Sequence, residues 1–177
     1  MSRNIKPLLL FALAFLAACA GENPAGPMAA SDIRTSRFAP VPMARPAGGT
    51  CNPEITVVAP FPGLDQPVLS LHIVGSCTLK HLGLTTMDII ETVDFSTGVI
   101  NNSTTYTAAN GDVVNSLFVG TVLTPPGPDA AFEGTETYVS GTGRFVGVSG
   151  SSFLEGTAHL TGLTGIGEYT TRGTITF

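Results

Sequence analysis

The chain has 177 residues, of which 43% are hydrophobic and only 12% are charged. This length allows one modest domain. Eight Lys and Arg residues against thirteen Asp and Glu residues give a formal net charge of -5 at pH 7. A nucleic-acid partner is disfavoured, because binding to phosphates needs clustered basic side chains.

Residues 1–18 have the organisation of a secretory signal peptide. Arg3 and Lys6 precede an apolar run from Pro7 to Ala18. A run this short would form a helix of about 18 Å, whereas the hydrocarbon core of a bilayer is roughly 30 Å thick. The segment therefore predicts a signal that is removed after secretion, and not a membrane span.

The signal ends in Leu16-Ala17-Ala18-Cys19, which resembles the lipobox of bacterial lipoproteins. The resemblance implies cleavage before Cys19 and attachment of acyl chains to its thiol, so that the membrane becomes a partner of the mature chain. Ala20 follows, and the absence of Asp there favours the outer membrane, with the folded part periplasmic or exposed at the surface. The alternative is an ordinary signal peptide that happens to contain a cysteine.

Residues 19–50 are rich in Pro, Ala and Gly and show neither helical nor strand periodicity. Such a composition buries too little apolar surface to offset the entropy of ordering. We therefore expect a flexible linker after Cys19 and a folded domain over residues 51–177.

Two cysteines, Cys51 and Cys77, remain once Cys19 is assigned to the lipid. An even pair in a secreted domain predicts a disulfide. Closing a loop of about 26 residues would stabilise the fold by roughly 3 to 4 kcal/mol. The alternative is two free buried thiols, while zinc binding is disfavoured because the ligand spacing is absent.

The domain is rich in Thr, Val, Ile and Gly, which suit strands and their turns. Alternating runs separated by turn signals predict strands near 55–59, 69–79, 84–95, 99–108, 113–123, 131–139, 144–148, 152–160 and 168–176. This number and spacing of strands predict an all-β fold, a small closed antiparallel barrel of about eight strands, with a β-sandwich as the alternative.

A second motif lies near the end of the chain, in the stretch GTGRFVGVSG that starts at Gly141. With the earlier stretch Tyr106–Asp112, it resembles small bacterial proteins with an allene oxide cyclase-like β-barrel, which are related in fold to plant dirigent proteins. The positions that carry the motif are Gly141, Gly143, Arg144, Phe145, Gly147 and Gly150. Its glycines suit turns and close backbone approaches, and Phe145 suits a core position. No catalytic residue of the plant cyclases can be matched onto this chain, so none is transferred.

Alternation places Glu91 on the more apolar face of a predicted strand, with Met87, Ile89 and Val93. A carboxylate inside a barrel would have a raised pKa and could act as a general base or as a ligand anchor. The preferred interpretation is nevertheless structural, namely that Glu91 pairs with Arg144 or faces outward after a bulge.

The remaining candidates for chemistry do not form sites. The three histidines lie on separate segments and lack the spacing of metal ligands: His72, His81 and His159. Three serines follow Gly147 without a complete nucleophile elbow and are expected in turns, and they are Ser149, Ser151 and Ser152. No calcium-loop spacing is present. We therefore expect neither a metal nor a cofactor.

Two functions remain open. The preferred one is a non-enzymatic envelope module that binds a small apolar ligand or a partner protein, or has a structural role. The alternative, implied by the resemblance, is a cyclase or isomerase acting on a lipid-derived substrate. An open lumen containing Glu91 would favour the enzyme. A core filled by aromatic side chains would favour the module, and these side chains are Phe95, Phe118, Phe145, Tyr169 and Phe177.

Overall fold

The structure is a computed structural model that describes residues 43–58, 68–124 and 127–177. Eight strands are present in these ranges. They are β1 (Arg45–Val57), β2 (Val68–Leu79), β3 (Gly83–Asp94), β4 (Val99–Ala108), β5 (Val113–Val122), β6 (Asp129–Gly141), β7 (Ser149–Thr161) and β8 (Thr164–Thr176). One short 3-10 turn, Gly143–Phe145, lies between β6 and β7.

The strands form a closed barrel in which each is antiparallel to the next in the chain. The last strand, β8, pairs with β1 and closes the sheet, so no strand of the barrel has an unpaired edge. This confirms the predicted all-β fold and the predicted barrel of about eight strands. Within the described residues, no helix has the length and apolar character to cross a membrane.

Side chains alternate between the barrel interior and the outer surface, as the sequence predicts. On β2 the residues Leu69, Leu71 and Ile73 are buried, whereas Val74 on the same strand is exposed. The Asn110-Gly111 pair forms the predicted hairpin turn between β4 and β5, and Gly111 has a φ of 86°.

The first strand begins at Arg45, before the expected start of the domain at Cys51. Residues 45–50 are poor strand formers by composition, but they pair with β8 and complete the barrel. A Cβ at Gly48 would lie 2.5 Å from the Thr171 carbonyl oxygen. The glycine that suggested a linker is therefore what allows β1 to approach β8.

The predicted strand at 144–148 is wrong. The chain instead makes the 3-10 turn over Gly143–Phe145, because Gly143 and Gly147 both have positive φ values, of 55° and 80°. Such values interrupt a strand. The predicted nine runs thus become eight strands.

Cys51 and Cys77 form the predicted disulfide, with their Cα atoms 4.1 Å apart. They are directly opposite one another in the β1–β2 pairing, and both are 1% exposed. The bridge fixes the register of β1 against β2 near the middle of the barrel.

Candidate lumen at the open end of the barrel

The interior of the barrel is not uniformly filled. A cavity of about 90 Å³ occupies the half that contains Leu69, Val93 and Ile100, and we call this half the open end. The cavity volume is several times the roughly 10 to 15 Å³ that one water molecule needs. Most of the lining is apolar, and it includes Ile55, Leu69, Leu71, Ile73, Ile89, Val93, Ile100, Phe118, Phe132 and Leu154.

Glu91 lines this cavity from β3. It pairs with Leu71 of β2 on one side and with Asn102 of β4 on the other. The Asn102 amide donates a hydrogen bond of 3.0 Å to Glu91 Oε2, and Thr104 Oγ1 donates one of 3.2 Å to Asn102 Oδ1. The Thr104 bond orients the amide so that its NH₂ group points to the carboxyl group.

Burial raises the pKa of the Glu91 carboxyl to about 7, against the opposing effect of the Asn102 hydrogen bond. The apolar lining stabilises the ionised form poorly, so the proton is held more tightly than in water. Glu91 is therefore a carboxyl group that changes its charge close to neutral pH.

The preferred sequence interpretation of Glu91 was wrong on both of its alternatives. The residue does not face outward, and Arg144 lies with a different carboxylate, Nε being 3.6 Å from Asp112 Oδ2. Because β3 runs without a bulge along both of its neighbours, the alternation read from the sequence holds at Glu91.

A second carboxyl, Glu136 of β6, lies deeper and is 1% exposed. Tyr106 Oη donates a hydrogen bond of 2.8 Å to Glu136 Oε1, and Ser116 Oγ donates one of 2.6 Å to the same atom. The Tyr169 hydroxyl is 3.2 Å from the Tyr106 hydroxyl. Tyr106, Ser116, Glu136 and Tyr169 together form what we call the buried polar layer, which is the floor of the cavity.

Burial raises the pKa of the Glu136 carboxyl, while the hydrogen bonds from Ser116 and Tyr106 oppose that rise. Burial also raises the pKa of the Tyr106 and Tyr169 hydroxyls well above the ordinary value for tyrosine. Both tyrosines are therefore neutral hydrogen-bond donors at neutral pH. Each polar group of the layer has a partner, as a buried polar group requires.

The opposite half of the barrel, which we call the closed end, is filled by Phe145 and Phe177. Phe145 is fully buried, and its ring packs edge-on against Phe177 with centroids 5.0 Å apart. The Arg144 guanidinium lies 4.7 Å above the Phe145 ring, and Arg45 lies at the same distance above Phe177. This confirms the predicted core position of Phe145.

The glycine motif belongs to this closed end. A Cβ at Gly143 would overlap the Asp112 carboxylate, and one at Gly141 would lie 2.5 Å from the Phe145 carbonyl oxygen. These glycines allow the turn after β6 to fold against the β4–β5 hairpin and place Phe145 in the core. The motif that carries the family resemblance is therefore structural in this chain.

The other sequence candidates lie apart from the lumen. His72 contacts Asp88 and His159 contacts Asp129 on the outer surface, while His81 is exposed beside Phe177. The serines were expected in turns, but Ser149, Ser151 and Ser152 lie on β7. Ser152 is buried, 2.7 Å from the Tyr138 hydroxyl.

Asn102 and Glu136 are lumen residues that the sequence interpretation missed. Both lie at inward positions of alternating strands, Asn102 between Ile100 and Thr104, and Glu136 between Gly134 and Tyr138. That alternation was the available signal. It was weak because β6 is interrupted by glycine and threonine, so its two faces differ little in hydrophobicity.

No group of three or more His, Cys, Asp or Glu side chains suited to a metal ion occurs in the part of the chain that the structure describes. In comparisons with known proteins, no family model, curated protein or solved structure matched this chain. The lumen is therefore the feature of this chain from which a function can be proposed.

Proposed function

We propose that the protein is a membrane-anchored envelope lipoprotein whose barrel binds one small apolar ligand in the open end. The observation that carries the proposal is the cavity of about 90 Å³ with its largely apolar lining. Barrels of eight strands have interiors that are either packed or able to hold one small ligand. This barrel has a packed closed end and an open end in which the side chains of the described residues leave a cavity.

The polar groups of the cavity support binding over a purely structural role. An apolar core would be at least as stable without the Glu91 carboxyl, since burying a carboxyl costs free energy. A ligand that hydrogen-bonds to Glu91 would give that carboxyl a partner and an orienting role. Small-molecule sites commonly combine an apolar wall with a few such polar groups.

Calorimetric titration with 1-octanol tests the proposal. We expect one molecule to bind per barrel in the wild type. Ile89→Trp should abolish binding, because Ile89 is buried and lines the cavity. Ile90→Trp is the matched control, since the neighbouring Ile90 is exposed on the outer surface, and it should bind as the wild type does.

Chemical denaturation establishes that each tryptophan variant is folded before its titration is interpreted. If Ile89→Trp does not fold, Val93→Trp takes its place in the test, because Val93 lines the same cavity from another position of β3. Octanol binding that survives in the folded lumen variants, or a wild type that binds neither 1-octanol nor octylamine, would contradict the proposal.

The anchor is supported by the signal-like residues 1–18 and by Leu16-Ala17-Ala18-Cys19. Residues 1–42 lie outside the described ranges, so this part of the proposal depends on the sequence alone. We expect Cys19→Ser to remain unprocessed or to leave the membrane fraction. A mature chain whose intact mass shows an unmodified Cys19 would contradict the anchor and leave the lumen proposal unaffected.

A cyclase or isomerase acting on a lipid-derived substrate is the second candidate. The observation that favours it is the cavity containing Glu91, which is the feature expected of the enzyme, because a carboxyl with a pKa of about 7 can accept and return a proton near neutral pH. The packing of Phe145 against Phe177 at the closed end is the feature expected of the module. An allene oxide prepared from an unsaturated fatty acid is a suitable probe. We expect a cyclising enzyme to give an excess of one enantiomer that Glu91→Gln loses, whereas a racemic product from the wild type would exclude this activity.

A further inference from the structure

We infer that the ligand of the lumen is a lipophilic amine, whose ammonium group lies against the Glu91 carboxylate while its apolar tail occupies the open end. The inference rests on the proposed ligand binding and adds the charge of the ligand to it.

The charges that line the cavity all have one sign. Among the described residues that line it there are two carboxyl groups, those of Glu91 and Glu136, and no Lys, Arg or His. The two chain segments within the domain that lie outside the described ranges, 59–67 and 125–126, contain no basic residue either. Once Glu91 is ionised, the lumen therefore attracts cations and repels anions, and its low dielectric strengthens both effects.

The two carboxyl groups differ in the number of hydrogen bonds that they accept. Glu136 accepts two hydrogen bonds, from Tyr106 and Ser116, within the buried polar layer. In the described ranges, Glu91 accepts a side-chain hydrogen bond from Asn102 alone, and that bond involves Oε2. Glu91 is thus the carboxyl with unused acceptor capacity that faces the cavity.

Aromatic and aliphatic side chains both form the walls of the cavity. Phe118 and Phe132 line it, and aromatic faces attract cations, the more so where the cation is desolvated. Leu71 and Ile89 supply apolar surface for an alkyl tail. An ammonium group with a short apolar tail matches both surfaces.

The other ligand classes match the lumen less well. A fatty-acid anion would place its carboxylate beside the two carboxyl groups of the cavity, and it would be repelled strongly in the low dielectric once Glu91 is ionised. A neutral alcohol can hydrogen-bond to Glu91, but it does not compensate a buried negative charge. A cation supplies the missing charge.

The dependence on pH follows from the groups that face Glu91. Asn102 on β4 does not titrate, Tyr169 on β8 stays neutral, and Glu136 on β6 is the other carboxyl of the lumen. Burial raises the pKa of Glu91 to about 7. The carboxyl is ionised above that pH and neutral below it, so amine affinity should rise between pH 6 and pH 8.

The test uses three molecules of matched tail length, which are octylamine, 1-octanol and octanoate. Each is titrated at pH 8 into wild type, Glu91→Gln and Glu133→Gln. Glu133 is exposed, so its variant makes the same change in net charge outside the lumen. We expect octylamine to bind at least about tenfold more tightly than 1-octanol in wild type and in Glu133→Gln, which corresponds to about 1.4 kcal/mol. In Glu91→Gln, octylamine and 1-octanol should bind with equal affinity. Of the three molecules, octanoate should have the lowest affinity for the wild type.

Equal affinities of octylamine and 1-octanol in the wild type would overturn the inference and leave the proposed apolar site standing. A preference for octylamine that persists in Glu91→Gln would also overturn it, by placing the ammonium elsewhere. If none of the three molecules bound to the wild type, the proposed function itself would fail.

Discussion

The two ends of the barrel are built from the same eight strands but differ in what occupies the interior. At the closed end, Phe145 and Phe177 fill the space between the strands, and Arg144 and Arg45 cover their rings. At the open end the side chains leave a cavity, and a carboxyl group, Glu91, faces it. The difference shows that one half of the fold is organised for stability, while the other retains costly features that a ligand would explain.

The buried polar layer separates these two halves. Glu136, Tyr106 and Ser116 satisfy one another's hydrogen bonds across three strands. A satisfied layer of this kind forms a rigid floor for the cavity, since each group is fixed by at least one partner. The ends can therefore be altered separately, and the following predictions use that separation.

The largest expected effect is at the closed end. Phe145→Ala should lower the free energy of unfolding by about 3 to 5 kcal/mol, because it empties a fully buried site. Phe95→Ala is the matched variant at the open end, where the ring is only partly buried, and should cost distinctly less. Urea denaturation of both variants measures the difference, and equal losses would show that the two ends are packed alike.

Removing the disulfide should have the next largest effect. The double variant Cys51→Ser with Cys77→Ser releases a loop of about 26 residues, and we expect a loss of roughly 3 to 4 kcal/mol. Denaturation with and without reductant measures it, and reductant should not change the double variant. Thiol labelling of both cysteines in the unfolded, unreduced wild type would contradict the bridge.

Glu91→Gln should raise stability in a manner that depends on pH. The pKa of Glu91 is about 7 in the folded state, against an ordinary value of 4.5. As pH rises from 4.5 to 7, the unfolded state therefore loses this proton before the folded state does, and the stability of the wild type falls. The variant lacks this loss. We expect equal stability of the two proteins at pH 4 and an advantage of about 3 kcal/mol for the variant at pH 8. Denaturation across this range checks it, and a difference that does not change with pH would mean that Glu91 titrates normally.

The smallest expected effect is in the buried polar layer. Tyr106→Phe removes one hydrogen bond to Glu136 and should cost about 1 to 2 kcal/mol, because Ser116 still donates to the same carboxyl. Ser103→Ala is a control on the outer face of the same strand and should be near neutral. A loss as large as that of Phe145→Ala would show that the layer is not independent of the closed end.

The fold could be predicted from the sequence because strand alternation, turn residues and cysteine number each depend on local or pairwise patterns. The disulfide, the barrel and the core position of Phe145 were predicted in this way. The start of β1 was not, because Gly48 and its neighbours form a strand only through pairing with β8. Local propensity contains no information about such a distant partner.

The candidate site was harder to predict than the fold. Glu91 was found by alternation, but its preferred interpretation failed because pairing with Arg144 could not be judged without the position of Asp112. Glu136 and Asn102 were missed, since nothing in the sequence indicates that β6 lines the same cavity as the paired strands β3 and β4. Whether a closed barrel is filled or open depends on the sum of side-chain volumes in three dimensions.

The most direct test of the difference between the two ends is an NMR measurement of contacts between bound 1-octanol and the methyl groups of the protein. We expect intermolecular NOEs to Leu71, Ile89 and Val93 in the open end, and none to Val114, which is buried in the closed half, or to the exposed Ile90. NOEs confined to Ile90, or present equally at Val114, would contradict a ligand site at the open end.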